Sequence, residues 1–390
     1  MDKTRWLLTF GALSFSLLFL AAACGGEEEN PFSVKSELVT AADRPIALAF
    51  APDGRLFYAE HLTGNIRVVS PDGQLQGDPF AKVEVALFIE WGLTGLALDP
   101  DFENNHYVYA FLTEAVSPEG PVGRPVVVRF TDQDNRGLDP EVIVGDLPET
   151  NPKRPGFNAN GSIHFGLDGF LYITIGDYDR GKTIGPNGKP FAQDLSTPLG
   201  KMLRINKENG AAPPDNPFFD QPDADPRIFA YGFSRPFNFA FHPQNGQIYG
   251  HDNTASCEEL NLIKAGGNYG WPDVGDFPWP DCTAGEQIEG IHFLAIEGEK
   301  PGDFLSGPGV TSMEIASGDV YPLLGDSLLV CTNAKKLMRR LVLSGAGLDQ
   351  VTDDDVVVKD CDMDIAVSPD GIVYYSNQTE IRRLVPVESE

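Results

Sequence analysis

The 390-residue chain carries 57 acidic against 29 basic side chains, a formal charge of −28 that repels phosphate backbones and excludes nucleic acid as a natural partner. With 42% hydrophobic residues it can bury one large core or two ordinary ones. Its 41 glycines and 31 prolines favour many tight turns over long helices.

At the N-terminus, Lys3 and Arg5 precede an apolar run from Trp6 to Ala23. The run is long enough for a transmembrane helix, but Ala21-Ala22-Ala23-Cys24 followed by Gly25-Gly26 looks like a bacterial lipobox, with Leu20 one place early. Residues 1–24 are therefore expected to be a lipoprotein signal segment, Cys24 the lipidated residue, 25–34 a flexible tether and 35–387 the folded domain. A plainly cleaved signal peptide is the alternative. Both readings export the domain, and the lipid-anchored one places it on the cell envelope.

Beyond the tether, short apolar or alternating runs recur, each flanked by Gly, Pro, Asp or Asn: Ile46–Phe50, Leu56–Ala59, Ile66–Val69, Tyr107–Leu112, Val126–Phe130, Leu171–Ile175, Met202–Ile205 and Ile372–Tyr375. Several follow one corner, as in APDGRLFYAE at 51–60, SPDGQL at 70–75, FGLDGFLYITIGD at 165–177 and SPDGIVYYSN at 368–377; HPQNGQIYGHD at 242–252 is a looser copy. Glycine supplies the positive φ such corners need. Strand–turn–strand units repeated from residue 46 to 377 predict an all-β propeller, its irregular spacing absorbed by long loops at 178–199 and 273–305. A pair of β-sandwiches is the alternative. Ligands on propellers sit near the axis, where loops from several blades converge.

Leaving Cys24 aside, four cysteines remain: Cys257, Cys282, Cys331 and Cys361. An even number in an oxidising compartment predicts two disulfides, and nearest-neighbour pairing, Cys257–Cys282 with Cys331–Cys361, is the preferred one of three connectivities. The chain has no CxxC pair for zinc.

Five motifs occur in order: EWGLTGLALDPDF at 90–102; Asn160-Gly161 leading into FGLDGFLYITIGD; AQDLSTPLGKMLRIN at 192–206 followed by Asp215-Asn216-Pro217-Phe218; YGFSRPFNFAFHP at 231–243; and IYGHDNTASCEELNLIKAGGNYGWP at 248–272. Together they resemble the soluble glucose/sorbosone dehydrogenase family over nearly all of residues 35–386. The resemblance implies a six-bladed β-propeller with long inter-strand loops. It also implies oxidation of the C1 hydroxyl of aldose sugars by pyrroloquinoline quinone (PQQ).

The family's base, a His oriented by an Asp nineteen residues later, falls on Asn158, while the Asp survives as Asp177. A neutral amide hydrogen-bonds but takes no proton at useful pH. His164, the nearest other histidine, reads as a satisfied residue on a strand face. Among the positions that would hold the anionic cofactor, the Gln of the first motif reads Glu90 and the Arg-Asn pair reads Ser234-Arg235. A family Lys falls on Ala334, beside Lys335 and Lys336, and two family Arg residues fall on Cys361 and Met363. The carbonyls for the cofactor's calcium fall on Asn253-Thr254. The resemblance thus assigns Asn158 and Asp177 to the catalytic positions and Glu90, Arg235 and Lys335 to the cofactor, in a pocket altered by substitution. It further implies a structural Ca²⁺ on Glu259 and Tyr269, whose carboxylate and carbonyl oxygens suit a hard cation.

Two other functions fit the same residues. One is a non-catalytic surface propeller that binds a glycan or a protein, using Trp91, Trp271 or Trp279 against sugar rings. The other is a calcium-dependent lactone hydrolase with Asp177, Glu90 and Asn158 as oxygen ligands. No GxSxG elbow or zinc-protease helix motif is present. The expected partner is a small sugar or a glycan, with membrane contact only through the lipid anchor.

Overall fold

The computed structural model describes residues 30–387 except 89, 117–121, 152, 154–155, 160, 179, 182, 255, 273–287 and 304. Cys24, Cys282 and Trp279, with most of the proposed tether, lie outside the described residues. The first strand, β1 (Val34–Ala41), is set aside by the chain until its end. Three full antiparallel sheets follow: β2 (Pro45–Phe50), β3 (Leu56–Glu60), β4 (Asn65–Val69) and β5 (Ala81–Lys82); β6 (Leu93–Leu98), β7 (Tyr107–Ala115), β8 (Gly123–Gln133) and β9 (Arg136–Val144); then β10 (Ile163–Phe165), β11 (Leu171–Ile175), β12 (Lys201–Ile205) and β13 (Ile228–Tyr231). Two more comprise β14 (Asn238–Phe241), β15 (Ile248–Asp252), β16 (Glu258–Ile263) and β17 (His292–Leu294), then β18 (Val310–Ile315), β19 (Leu328–Thr332), β20 (Leu337–Ser344) and β21 (Gln350–Lys359). The last sheet has β22 (Ile365–Val367), β23 (Val373–Ser376) and β24 (Glu380–Pro386), and β1 pairs with β24 as its fourth, outer strand.

The first strand of each sheet touches the first strand of its two neighbours, from β2 through β6, β10, β14, β18 and β22 back to β2. Six sheets in a closed ring make the six-bladed β-propeller, and closure buries the two blade faces an open stack would expose, leaving only the short outer edges of the blades. Apolar side chains on facing blades fill the gaps between them. Between the second and third blades, Phe111, Val127, Ile173 and Leu203 are all fully buried in one cluster. That arrangement explains the near-continuous apolar runs, since an inner strand such as β11 is buried on both faces.

Antiparallel order sends each blade's corners to fixed ends of the axis. The Pro-Asp-Gly and Asn-Gly corners join first to second strands, or third to fourth in the case of Gly73, and all lie at one end. Loops from second to third strands, and from one blade to the next, lie at the other. Cys331 and Cys361 are bonded within the fifth blade region at a Cα separation of 5.2 Å, as the nearest-neighbour pairing predicts.

Candidate functional site at the axial mouth

Four loops converge at the second end. Glu90 lies on the connection from the first blade to the second, Asn158 on that from the second to the third, and Ser234 and Arg235 on that from the third to the fourth. Asp177 begins the long β11–β12 loop. Their approach is close enough to need glycine, because a Cβ on Gly176 would stand 2.1 Å from the Asn158 carbonyl oxygen. Asn158 itself has a φ of 47°, a left-handed conformation that asparagine tolerates better than most side chains.

The Asn158 amide Nδ2 donates to Asp177 Oδ1 at 3.0 Å and to Ser234 Oγ at 3.3 Å. Asp177 Oδ2 accepts from the Trp271 indole Nε1 at 2.8 Å and from the Gly181 N–H at 2.8 Å. Glu90 Oε2 accepts the Asn158 backbone N–H at 2.8 Å, and its Oε1 pairs with Arg235 Nη1 at 2.9 Å. Thus Asn158, Asp177, Glu90 and Arg235 share one floor, although the Arg235 guanidinium stands one residue later than the family's arginine. Lys335 does not join them. It lies exposed on the β19–β20 turn with a φ of 65°, and its neighbour Lys336 pairs with Asp362 at 3.0 Å.

Trp271 arrives by an unexpected route. After β16 the chain climbs back beside β13, with a parallel bridge between Tyr231 and Asn268, and delivers the indole to Asp177. Trp91, in contrast, is buried in the core between blades, so it offers no face to a sugar. His164 is also removed from the site. Its Nε2 meets Asn238 Oδ1 at 3.2 Å, burial pulls the imidazole down to about 4, and the ring lines a 240 Å³ cavity at the opposite end of the channel.

Asp252, at the end of β15, was not singled out by the sequence. It receives the Ser234 N–H at 2.8 Å and the Arg235 N–H at 2.6 Å, bracing the backbone that carries the guanidinium. Burial pushes its carboxyl up to about 7 against the pull of those two donors. Lys201 was also missed. Its ammonium is fully buried and donates to the carbonyls of Phe191, Ala192 and Leu199 at 3.0, 2.9 and 2.7 Å, pinning the loop that starts at Asp177.

These groups do not fit a multiply anionic quinone. The Arg235 cation is already paired with Glu90, Cys361 is consumed by the disulfide, and Met363 packs into an apolar cluster against the first blade. Nor do they support a cation bridged by Asp177, Glu90 and Asn158, since both carboxylates are committed to internal donors.

The calcium position fits better. Glu259 is buried, and burial with the nearby Asp252 pushes its carboxyl up to about 8. Two residues along the same strand face, the Asn261 amide is fully buried beside the Glu259 carboxylate, and its Oδ1 receives no hydrogen bond. An unsatisfied amide oxygen beside a buried carboxylate is a suitable donor set for a hard cation. Among the described residues no cluster of three or more His, Cys, Asp or Glu side chains is present.

The fold and site define a six-bladed propeller with a polar, loop-built axial mouth. Residues 42–385 match the Glucose / Sorbosone dehydrogenase family model, and the chain belongs to that family. Aldose sugar dehydrogenase YliI of Escherichia coli K12 is 26% identical over 369 residues, covering 93% of this chain and 94% of that protein. Quinoprotein glucose dehydrogenase B of Acinetobacter calcoaceticus is 30% identical over 264 residues, covering 62% of this chain but only 53% of that protein. A solved structure from Thermus thermophilus, assigned as an oxidoreductase (glucose dehydrogenase), superposes with a TM-score of 0.73 at 30% identity, covering 90% of this chain and 100% of that one.

Proposed function

We propose that the axial mouth binds an aldose-type sugar and that this chain is an exported, lipid-anchored family member in which C1 oxidation is sharply weakened. Family membership supports the substrate class. One observation carries the weakening: the side chain facing Asp177 is an amide that donates to it, so no imidazole stands at that position to take the sugar's proton. A positioned general base contributes about 10²–10⁴-fold to such a step. Hydroxyl-rich ligands suit the remaining groups, because the Trp271 ring offers an apolar face while carboxylates and amides surround it. The donor set at Glu259, Asn261 and Tyr269 supports a structural Ca²⁺ beside the site, and the lipobox-like segment supports anchoring through Cys24.

A second reading, PQQ-dependent aldose oxidation at ordinary rates, is favoured by the full-length likeness to an aldose sugar dehydrogenase. PQQ would bring hydride acceptance to the site, and the residues above would have only Asp177 as a proton acceptor. One experiment separates the two. Purified protein is titrated with aldoses by calorimetry, then assayed with PQQ, Ca²⁺ and an artificial electron acceptor. Saturable sugar binding is expected, with turnover at least about 10²–10⁴-fold below a His-bearing relative, because the pairing of Arg235 with Glu90 disfavours the anionic cofactor as well. Absence of sugar binding would sink the proposal, and turnover equal to the relative's would establish the second reading.

A further inference from the structure

Glu90 makes two contacts that a bound anion would otherwise make. Its Oε1 sits 2.9 Å from the Arg235 guanidinium, and its Oε2 accepts the Asn158 backbone N–H at 2.8 Å. A guanidinium and a backbone N–H aimed at one point form an anion slot. Here the occupant comes from the preceding blade connection, its side chain only 16% exposed. The occupancy is incomplete on the arginine side: Arg235 Nε is buried and has no acceptor. The Arg235 side chain is still 29% exposed, so its guanidinium can meet a neutral hydroxyl oxygen without a second negative charge being placed beside Glu90.

We propose that Glu90 is a specificity-determining residue. Its carboxylate fills the slot between Arg235 and the Asn158 N–H, excludes carboxylate-bearing ligands from the axial mouth, and leaves the exposed part of the Arg235 guanidinium for an uncharged hydroxyl ligand. Juxtaposed like charges disfavour the wrong ligand by enough to change affinity at least tenfold. The hydroxyl half of this inference rests on the sugar-binding reading; the anion-exclusion half does not.

The test uses the full folded domain without added calcium, titrated calorimetrically with PQQ and separately with citrate, a tricarboxylate that carries no quinone. Glu90→Gln keeps the side chain's shape and removes its charge. It is expected to bind both anions about tenfold or more tightly than the parent. The double variant Glu90→Gln/Arg235→Gln is expected to lose that gain. Unchanged affinity in Glu90→Gln overturns the proposal, and so does a gain that persists in the double variant, because the effect would then not pass through Arg235. Should Glu90→Gln fail to fold, Glu90→Ala serves in its place under the same criteria. A parallel glucose titration of the parent keeps the two readings apart: absence of glucose binding in the parent removes the sugar reading while the anion result still stands or falls alone.

Discussion

Lys201 shows how the site is held from beneath. Burial pulls its amine down from 10.5 to about 7, yet three carbonyls of the β11–β12 loop converge on it. Lys201→Met would leave the Leu199 carbonyl without a donor and remove a second donor from the Phe191 and Ala192 carbonyls, which also accept the Asp194 and Gly232 N–H groups. A loss of about 2 kcal/mol is expected in denaturant unfolding. The pH dependence has a definite sign. The folded chain binds fewer protons at Lys201 than the unfolded chain between about 7 and 10.5. The parent should therefore gain stability over Lys201→Met as pH rises through that window. A flat difference would show that the amine titrates normally.

Individual positions were legible where a motif fixed both spacing and loop. Glu90, Asn158 and Asp177 stand at motif positions, Arg235 one residue past the motif's arginine, and the four meet on one floor. Lys335 was not legible, because two adjacent lysines on a turn cannot be told apart without its φ/ψ angles. The left-handed conformation at both Lys335 and Lys336 leaves the first exposed and the second on Asp362. Asp252 and Lys201 escaped notice because their work is done on backbone groups, which leave no mark on side-chain patterning.

Strands were the easiest elements to read, and their limits show why. Leu171–Ile175 forms β11 as expected, while SPDGQL at 70–75 leads only to a bridge at Leu75 before the two-residue β5. Outer strands are exposed and polar, as in β9 and β21, so hydrophobic periodicity finds the inner strands and loses the rim. The fifth blade is reinforced there by the disulfide. Breaking a closure over 30 residues of separation should cost about 3 kcal/mol, so Cys331→Ser is expected to lower the denaturation midpoint, and reduction of the parent should match it.

Inner strands carry a pH signature of their own. Burial pushes the carboxyls of Glu314, on β18, and Asp364, just before β22, up to about 7. Groups raised in the folded state stabilise it fully at pH below their unfolded pKa and lose that contribution as pH climbs through about 7. Thermal stability should therefore fall from about pH 5 to pH 8, and Glu314→Gln should flatten the decline, with a melting temperature at pH 8 about 2 °C above the parent. An unaltered slope would assign the decline to other groups.

At the scale of the whole molecule, the ring depends on one long-range pairing. β1 joins β24 from Val34 opposite Pro386 to Ala41 opposite Glu380, uniting segments nearly the whole described chain apart. Deleting residues 1–41 would strip the last blade of its outer strand and leave β24 with an open edge. Such a truncation is expected to unfold at markedly lower denaturant and to aggregate, as measured by fluorescence unfolding and light scattering. Restoration of the parent midpoint by adding a synthetic 30–41 peptide would confirm that the pairing itself is responsible.

β1 also has a direction. It ends at Ala41, where the chain turns into the first blade on the same face as Asn158 and Asp177, so Val34 enters at the opposite face, among the Pro-Asp-Gly corners. With Cys24 embedded in a bilayer, as proposed, the ten residues that follow can reach at most about 35 Å. The molecule would then stand on the lipid like a cup on its base, with its rim and the axial mouth turned outward to the medium.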